Sequence, residues 1–143
     1  MPADYEISTD SSKFDLEMIH GFLRNSYWAQ NIPRTIVEKC IRNSLCFGAF
    51  AEGRQIGFAR AITDRATFAY IADVLVIPAH RGRGVGRLLI QSILEHEDLQ
   101  GLRRFLLATK DAHGLYAKFG FQQLAEPENY MTIHCPNIYS VVA

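Results

Sequence analysis

A glycine-rich, basic segment at the middle of the chain has the residue types of an anion site. It consists of Arg81, Gly82, Arg83, Gly84, Val85, Gly86 and Arg87. A β-rich apolar stretch precedes it and a helical apolar stripe follows it, so it joins a strand to the start of a helix. The first N–H groups of a helix lack internal acceptors and lie at the positive end of its dipole. Glycines let a phosphate approach the backbone, and arginines add charged donors, so a pyrophosphate would fit here.

The spacing of these glycines argues against two common nucleotide-binding motifs. A dinucleotide fingerprint that begins at Gly82 needs its third glycine at position 87, which is an arginine. A P-loop needs Gly-Lys-Ser/Thr, which this segment lacks. The arginines could also be plain surface charges. That alternative is weaker, because three arginines and three glycines meet at one helix start.

Two motifs in order resemble the GCN5-related N-acetyltransferases (GNAT family). Arg81-x-x-Gly84-x-Gly86 resembles the family's Gln/Arg-x-x-Gly-x-Gly/Ala loop, and the segment from Ala112 to Phe121 resembles its Ala-x-x-Leu-Tyr-x-x-x-Gly-Phe motif. The resemblance is firm over about residues 45–121. It implies one acetyltransferase domain over residues 1–143, of α+β class. The sheet would be mixed and mostly antiparallel, with six or seven strands and helices on both faces.

The resemblance also implies the donor side of the site. Acetyl-CoA would give its acetyl group directly to an amine, with no covalent enzyme intermediate. The main chain of Val74, Leu75 and Val76 would hold the pantetheine and polarise the thioester carbonyl. Tyr116 matches the family tyrosine that protonates the departing thiolate. The implied cofactor-binding residues are those of the segment 81–87 together with Thr109, which stands where many relatives have asparagine, Ala112 and Tyr116.

The acceptor side depends on one carboxylate and several aromatic residues. Ala72 replaces the glutamate of polyamine-type relatives, and Asp73 remains. We therefore expect Asp73 to recognise the amine, and we rank a role as the general base below that. Tyr27 and Trp28 are assigned to acceptor binding, because the resemblance implies that the loop between the first two helices borders the acceptor cleft. Tyr70 is assigned to acceptor binding with them. A small primary amine with an apolar or aromatic body would suit them. The alternative places these aromatic side chains in the core.

Two other functions stay open at this stage. A non-catalytic acyl-CoA-binding sensor is motivated by Ala72, whereas Tyr116 argues against it. An acetyltransferase acting on a protein or peptide amine would need an open groove that the sequence does not reveal.

The amino-acid composition limits the classes of protein to which this chain can belong. The chain has 143 residues, 48% of them apolar, and 15 basic against 15 acidic residues, which is typical of one globular domain and atypical of a general nucleic-acid binder. We find no stretch that could span a membrane and no secretory signal. The three cysteines show no pairing pattern, and the histidines show no metal spacing. We therefore expect a cytoplasmic protein without metal, nucleic-acid or membrane partners. A homodimer, common in the family, could use a C-terminal strand with Tyr130, Ile133 and Tyr139.

Hydrophobic periodicity predicts the elements that position these residues. Period-two or continuous apolar runs predict strands at residues 5–8, 45–51, 55–62, 67–77 and 105–108, with two weaker ones around 122–124 and 130–134. Three-and-four spacing predicts helices at residues 14–25, after Pro33, at 84–96 and at 112–119.

Overall fold

A five-stranded sheet forms the centre of the protein, for which a computed structural model describes residues 4–140. The strands lie side by side in chain order. They are β1 (Tyr5–Ser8), β2 (Leu45–Ala51), β3 (Arg54–Thr63), β4 (Phe68–Val76) and β5 (Arg104–Leu107). The first four are antiparallel to their neighbours, and β5 is parallel to β4. The predicted mixed, mostly antiparallel sheet is confirmed.

Four α-helices cover the two faces of this sheet, as predicted. They are α1 (Leu16–Arg24), α2 (Arg34–Arg42), α3 (Val85–Glu95) and α4 (His113–Ala117). The Asp15 carboxylate accepts from the Met18 N–H and caps α1, whereas α2 follows Pro33, whose fixed φ favours a helix start. Each of the longer helices buries one apolar stripe.

Two apolar clusters, one on each face, hold the layers together. On one face, Leu89 and Ile93 of α3 are fully buried against Phe47 of β2. On the other face, Ile19 of α1 is fully buried with Phe58 of β3. Burying a side chain of this size stabilises the fold by about 1.5–3 kcal/mol. The end of β4 and the start of α3 are therefore held rigidly on either side of the glycine-rich segment.

The two weak C-terminal strands are the part of the sheet prediction that is wrong. Within residues 4–140 the sheet has five strands, not six or seven, and residues 122–124 and 130–134 are irregular. The physical reason is that neither segment pairs with a neighbouring strand among the described residues, and that residues 130–134 leave their apolar side chains exposed. Met131 is 98% exposed and Ile133 is 99% exposed, so no burial offsets the entropy of ordering a strand.

Candidate active site

The strands β4 and β5 separate halfway along β4. Their pairing runs from Phe68 opposite Arg104 to Ile71 opposite Leu107 and ends there. Residues 72–76 continue β4 and pair on one side with β3, so their other edge faces a gap. A register shift in the β3–β4 pairing accompanies Asp73, whose φ of 55° is left-handed. This bulge bends β4 away from β5, so that a cleft opens between the two strands.

The glycine-rich segment presents a row of free amides at the N-terminus of α3. Among residues 4–140, the backbone N–H groups from Gly82 to Arg87 donate to no protein atom; the next one, of Leu88, donates to the Gly84 carbonyl at 3.0 Å. Gly82 and Gly84 have φ values of 76° and 83°, which side chains rarely tolerate. A Cβ added at Gly86 would meet nothing within 4 Å, so the first turn of α3 has open space on its Gly86 side. The arrangement fits a diphosphate.

The three arginines of this segment have different surroundings. Arg81 donates from Nε to the Val76 carbonyl at 3.0 Å, and its guanidinium lies 5.9 Å from the centre of the Phe22 ring. It therefore fixes the end of β4 against α1. Arg83 and Arg87 are exposed, and neither forms a salt bridge within the described part of the chain. These two guanidinium groups remain available to an anion at the helix terminus.

Tyr116 lies in a groove that runs along β5 and has a volume of about 910 Å³. Its ring is 9% exposed and packs edge-on against Phe121, with 5.8 Å between the ring centres. The hydroxyl has no hydrogen-bond partner among residues 4–140, yet it is not sealed from solvent. Burial, with a smaller contribution from nearby Tyr27, raises the pKa of Tyr116 above its ordinary value of 10.0. The phenol is therefore a protonated donor at neutral pH.

Thr109 and Ala112 form the turn that leads from β5 to α4. The Thr109 Oγ1 accepts from the Ala112 N–H at 3.0 Å, so this amide is already satisfied within the turn. The Thr109 hydroxyl proton stays available. Thr109, Tyr116 and His113 line the same groove.

Asp73 is the centre of a network that joins three parts of the chain. Its Oδ1 accepts from the indole Nε1 of Trp28 at 2.9 Å, and its Oδ2 accepts from the Arg60 Nε at 2.9 Å. Arg60 in turn donates from Nη1 to the Ser44 hydroxyl at 3.0 Å. The side chains of Arg60 and Asp73 are only 14% and 11% exposed. Both carboxylate oxygens therefore already hold a donor, and the charge is neutralised.

The model of the acetyltransferase (GNAT) family matches residues 14–121. This chain belongs to the GNAT family. A solved GNAT-family structure from Xanthomonas campestris pv. campestris is 50% identical, with a TM-score of 0.94, and the match covers 96% of this chain and 97% of that one. A relative from Gibberella zeae, named as an acetyltransferase, is 33% identical over 80% of this chain and 77% of its own length.

A solved structure of lower sequence identity has a similar fold. N-acetylglutamate synthase from Neisseria gonorrhoeae, solved with coenzyme A and N-acetylglutamate, has a TM-score of 0.68 at 21% identity and matches 88% of this chain and 30% of its own. Membership of the family supports acetyl transfer from acetyl-CoA. Within residues 4–140, no group of three His, Cys, Asp or Glu side chains could hold a metal ion, and no helix is long and apolar enough to cross a membrane.

The aromatic residues assigned to the GNAT acceptor cleft differ in position. Tyr27 is 64% exposed and Trp28 is 44% exposed, which rules out the core alternative for this pair. Their rings pack edge-on with 5.1 Å between centres. Tyr70 is half-buried and lies where β4 still pairs with β5. It alternates with Ala69 and Ile71, which face α3, so it lies on the α1–α2 side of the sheet.

Two residues of this site were not predicted from the sequence. Arg60 lies on β3 and neutralises Asp73. The available signal in the sequence was a single arginine in the otherwise uncharged run from residue 55 to residue 62 of β3. The Lys110 Nζ lies 5.2 Å from the centre of the Tyr27 ring and forms no salt bridge with any residue in the range 4–140. Lys110 comes next to Thr109 in the loop that follows β5. This position was the only sign in the sequence that Lys110 could belong to the site.

Proposed function

We propose that this protein transfers an acetyl group from acetyl-CoA to the primary amine of a small molecule, with residues 1–143 acting as one domain. The observation that carries the proposal is the row of free amides from Gly82 to Arg87, next to the part of β4, residues 72–76, that β5 leaves unpaired. These two features supply an anion cradle and a main-chain edge. The unpartnered hydroxyl of Tyr116, in the groove along β5, supports the proposal as a candidate proton donor.

The protein's own groups suit each part of acetyl-CoA. The amides at the start of α3, with Arg83 and Arg87, would bind the diphosphate through charge-assisted hydrogen bonds. The main chain of Val74, Leu75 and Val76, on the edge of β4 that β5 leaves unpaired, would run beside the pantetheine, and an N–H there would stabilise the developing oxyanion. Arg81 acts through the backbone, because its Nε holds the Val76 carbonyl. The bound thioester supplies the acyl group.

The transfer step is a nucleophilic acyl substitution, in which the amine adds to the thioester carbonyl and the thiolate leaves. The neutral amine nitrogen attacks the thioester carbonyl carbon, a C–N bond forms, and the C–S bond breaks. The departing sulfur takes the proton of the Tyr116 hydroxyl, and the proton of the amine passes to solvent and from there restores the phenol. Because burial raises the pKa of Tyr116, the phenol keeps its proton until it is needed. A thiolate of pKa about 8.5 accepts it only when well positioned, so placement of the hydroxyl decides the rate.

In this proposal, Asp73 contributes to acceptor binding by holding the aromatic side chains of the acceptor site in place. Arg60 neutralises the Asp73 charge, which weakens the attraction of Asp73 for a cationic amine, and each carboxylate oxygen already accepts one hydrogen bond. The remaining lone pairs keep direct amine recognition and proton removal open to Asp73. What it does is hold Trp28, and with it Tyr27, at the edge of the cleft. The exposed faces of these rings favour an acceptor with an aromatic or apolar body. The nearby Lys110 favours one that also carries a carboxylate or another anionic group.

A non-catalytic acyl-CoA sensor is the second candidate. It is favoured by one observation, namely that the Asp73 carboxylate in the cleft is already neutralised by Arg60. The sensor and the enzyme share the cofactor site and differ in whether Tyr116 transfers a proton.

Replacement of Tyr116 by phenylalanine separates the two candidates. We would measure the release of coenzyme A with pairs of primary amines that carry an aromatic group, one member of each pair with a carboxylate and the other without. Binding of acetyl-CoA would be measured by calorimetry. If the protein is an enzyme, Tyr116→Phe should lower kcat by tenfold or more and leave the Kd for acetyl-CoA unchanged. Tyr139→Phe, which makes the same chemical change on the α1–α2 side of the protein, should keep full turnover. Wild-type protein that binds acetyl-CoA but turns over none of these amines would favour the sensor.

A further inference from the structure

A primary amine of the protein itself lies beside the candidate acceptor site. The Lys110 side chain is exposed, and its Nζ lies 5.2 Å from the centre of the Tyr27 ring. Tyr27 packs edge-on against Trp28, and the Trp28 indole is held by Asp73 of β4. Lys110 belongs to the loop after β5. The contact between Lys110 and Tyr27 therefore joins the two sides of the cleft.

The strand pairing places Lys110 level with the main chain that would polarise the thioester. β5 runs parallel to β4, and their last pair joins Leu107 to Ile71. The third residue after each of these two is Lys110 on the β5 side and Val74 on the β4 side. Since the two strands separate in between, Lys110 lies across the gap from Val74. A lysine side chain is long and flexible enough to turn into such a gap.

Tyr27 also connects Lys110 to the candidate proton donor. Burial, and after it the nearby Tyr27, raises the pKa of Tyr116, so the two phenol groups lie close to each other. Thr109, which precedes Lys110, lines the same groove as Tyr116. The Lys110 amine, the Tyr116 hydroxyl and the main chain at Val74 thus surround one space.

We propose that Lys110 is acetylated by the acetyl-CoA bound in its own chain, an inference that rests on the proposed function because it uses the same cofactor site and proton donor. The ammonium group loses a proton to solvent, and the neutral Nζ attacks the thioester carbonyl carbon. A C–N bond forms, and the nitrogen gives up a second proton to solvent. The C–S bond breaks as the sulfur takes the Tyr116 proton, which solvent then restores. The products are an acetylated Lys110 and free coenzyme A.

Position distinguishes Lys110 from the other three lysines of the chain. Lys13 follows β1, at the edge of the sheet opposite β5, and Lys39 lies on α2. Lys118 directly follows α4 and is exposed, yet within the described part of the chain it is not among the residues that line the groove. A reaction inside the cleft should therefore modify Lys110 alone.

Acetylation of Lys110 would change which acceptors the site prefers. It converts the ammonium group into a neutral amide, which ends the cation–π contact with Tyr27. It also removes the positive charge that would attract the carboxylate of an acceptor. The modified protein should therefore bind acidic acceptors less well and lose its preference for them over neutral ones.

Mass spectrometry of the intact protein and of its peptides, after incubation with saturating acetyl-CoA, tests for this modification. The wild type should gain one acetyl group at Lys110, at least tenfold faster than at any other lysine. The rate constant should not change when the protein is diluted, because the reaction takes place within one chain. Lys110→Arg should gain none, and Tyr116→Phe should react at least tenfold more slowly. Lys118→Arg is the matched control and should be acetylated at the wild-type rate.

Acetyl groups spread evenly over the lysines, or a rate constant that falls on dilution, would overturn the proposal. An unmodified Lys110 in a protein that acetylates small amines would overturn it too, and would leave the proposed function standing. A protein that binds acetyl-CoA but modifies neither Lys110 nor any amine would contradict both.

The change in acceptor preference has its own test. Lys110→Gln imitates the neutral amide, whereas Lys110→Arg keeps the positive charge and cannot be acetylated in the same way. The KM for a carboxylate-bearing amine should be about fivefold higher in Lys110→Gln than in Lys110→Arg, as expected for an exposed charge pair. Equal KM values in the two variants would overturn the link between acetylation of Lys110 and acceptor preference.

Discussion

The indole Nε1 of Trp28 donates a hydrogen bond to the Asp73 Oδ1 at 2.9 Å, across 45 residues of sequence. This bond ties the loop after α1 to the bulge at which β4 leaves β5. The opposite oxygen of the same carboxylate accepts from Arg60. One side chain therefore fixes both the aromatic edge of the cleft and the strand that opens it. Its position is left-handed, a conformation that aspartate tolerates better than branched residues do.

Replacing Asp73 separates positioning from base catalysis. Asp73→Asn leaves the largely buried Arg60 without its counter-charge, which should lower the free energy of unfolding by about 3 kcal/mol. Because the loop would loosen, we expect the KM for the amine to rise at least tenfold with a smaller change in kcat. A drop in kcat of several orders of magnitude at constant KM, with a lost inflection in the pH–rate profile, would show instead that Asp73 is the base.

Trp28→Phe is the matched variant for this test. It removes the Nε1 donor and keeps an aromatic ring and the Arg60–Asp73 ion pair. The KM for the amine should rise severalfold while the melting temperature stays within a few degrees of the wild type. An unchanged KM would remove Trp28 from acceptor binding.

The two free arginines at the start of α3 should set the salt dependence of cofactor binding. We expect Arg83→Ala and Arg87→Ala each to weaken acetyl-CoA binding by about fivefold, equivalent to about 1 kcal/mol for an exposed charge pair. The increase of Kd with ionic strength should become less steep in each variant, because one screened attraction is gone. Arg42→Ala, at the exposed end of α2, serves as the control and should bind like the wild type. If all three variants bound acetyl-CoA with the affinity of the wild type, Arg83 and Arg87 would be excluded from the anion site.

The buried thiol of Cys46 makes stability depend on alkaline pH. Burial raises the pKa of Cys46 from its ordinary value of 9.0 to about 12, and the positive charge of Arg60 opposes this only in part. Between these two values the unfolded chain has lost the proton and the folded chain keeps it, so the unfolded state is favoured as pH rises. The free energy of unfolding should fall by up to about 1.4 kcal/mol per pH unit above pH 9.

Cys46→Ala isolates this contribution through denaturant titrations between pH 8 and 11. The variant should be less stable at pH 8 because of the small cavity it leaves, yet its stability should fall less steeply from pH 9. The slope that remains above pH 10 is assigned to Tyr116, whose pKa is also raised by burial. Identical slopes in wild type and variant would contradict this account.

Local sequence patterns predicted most of the elements but not the contacts between them. The strands β1 and β2 have the predicted bounds, because their apolar runs end at turn residues within a few positions. The anion loop was predictable for the same reason, since all of its residues are adjacent in sequence. Arg60 was missed because its partner Asp73 is 13 residues away on another strand.

The C-terminal strands show the opposite error. Their alternating pattern is real, but a strand also needs a neighbouring backbone, and the single chain offers none to residues 131–135. An alternating pattern does not by itself supply the neighbouring strand on which pairing depends.

Calorimetric titration of acetyl-CoA into the wild type, Gly86→Glu and Gly21→Glu tests the central claim most directly. Neither glycine has an atom within 4 Å of an added Cβ, so both variants should fold, and an acidic residue in the first turn of α3 suits the helix dipole. The account predicts that the wild type and Gly21→Glu bind acetyl-CoA and free coenzyme A alike and do not bind NAD, while Gly86→Glu loses at least a hundredfold in affinity for both coenzymes. Undiminished binding by a folded Gly86→Glu protein, or no binding by the wild type, would contradict the placement of the cofactor at the N-terminus of α3.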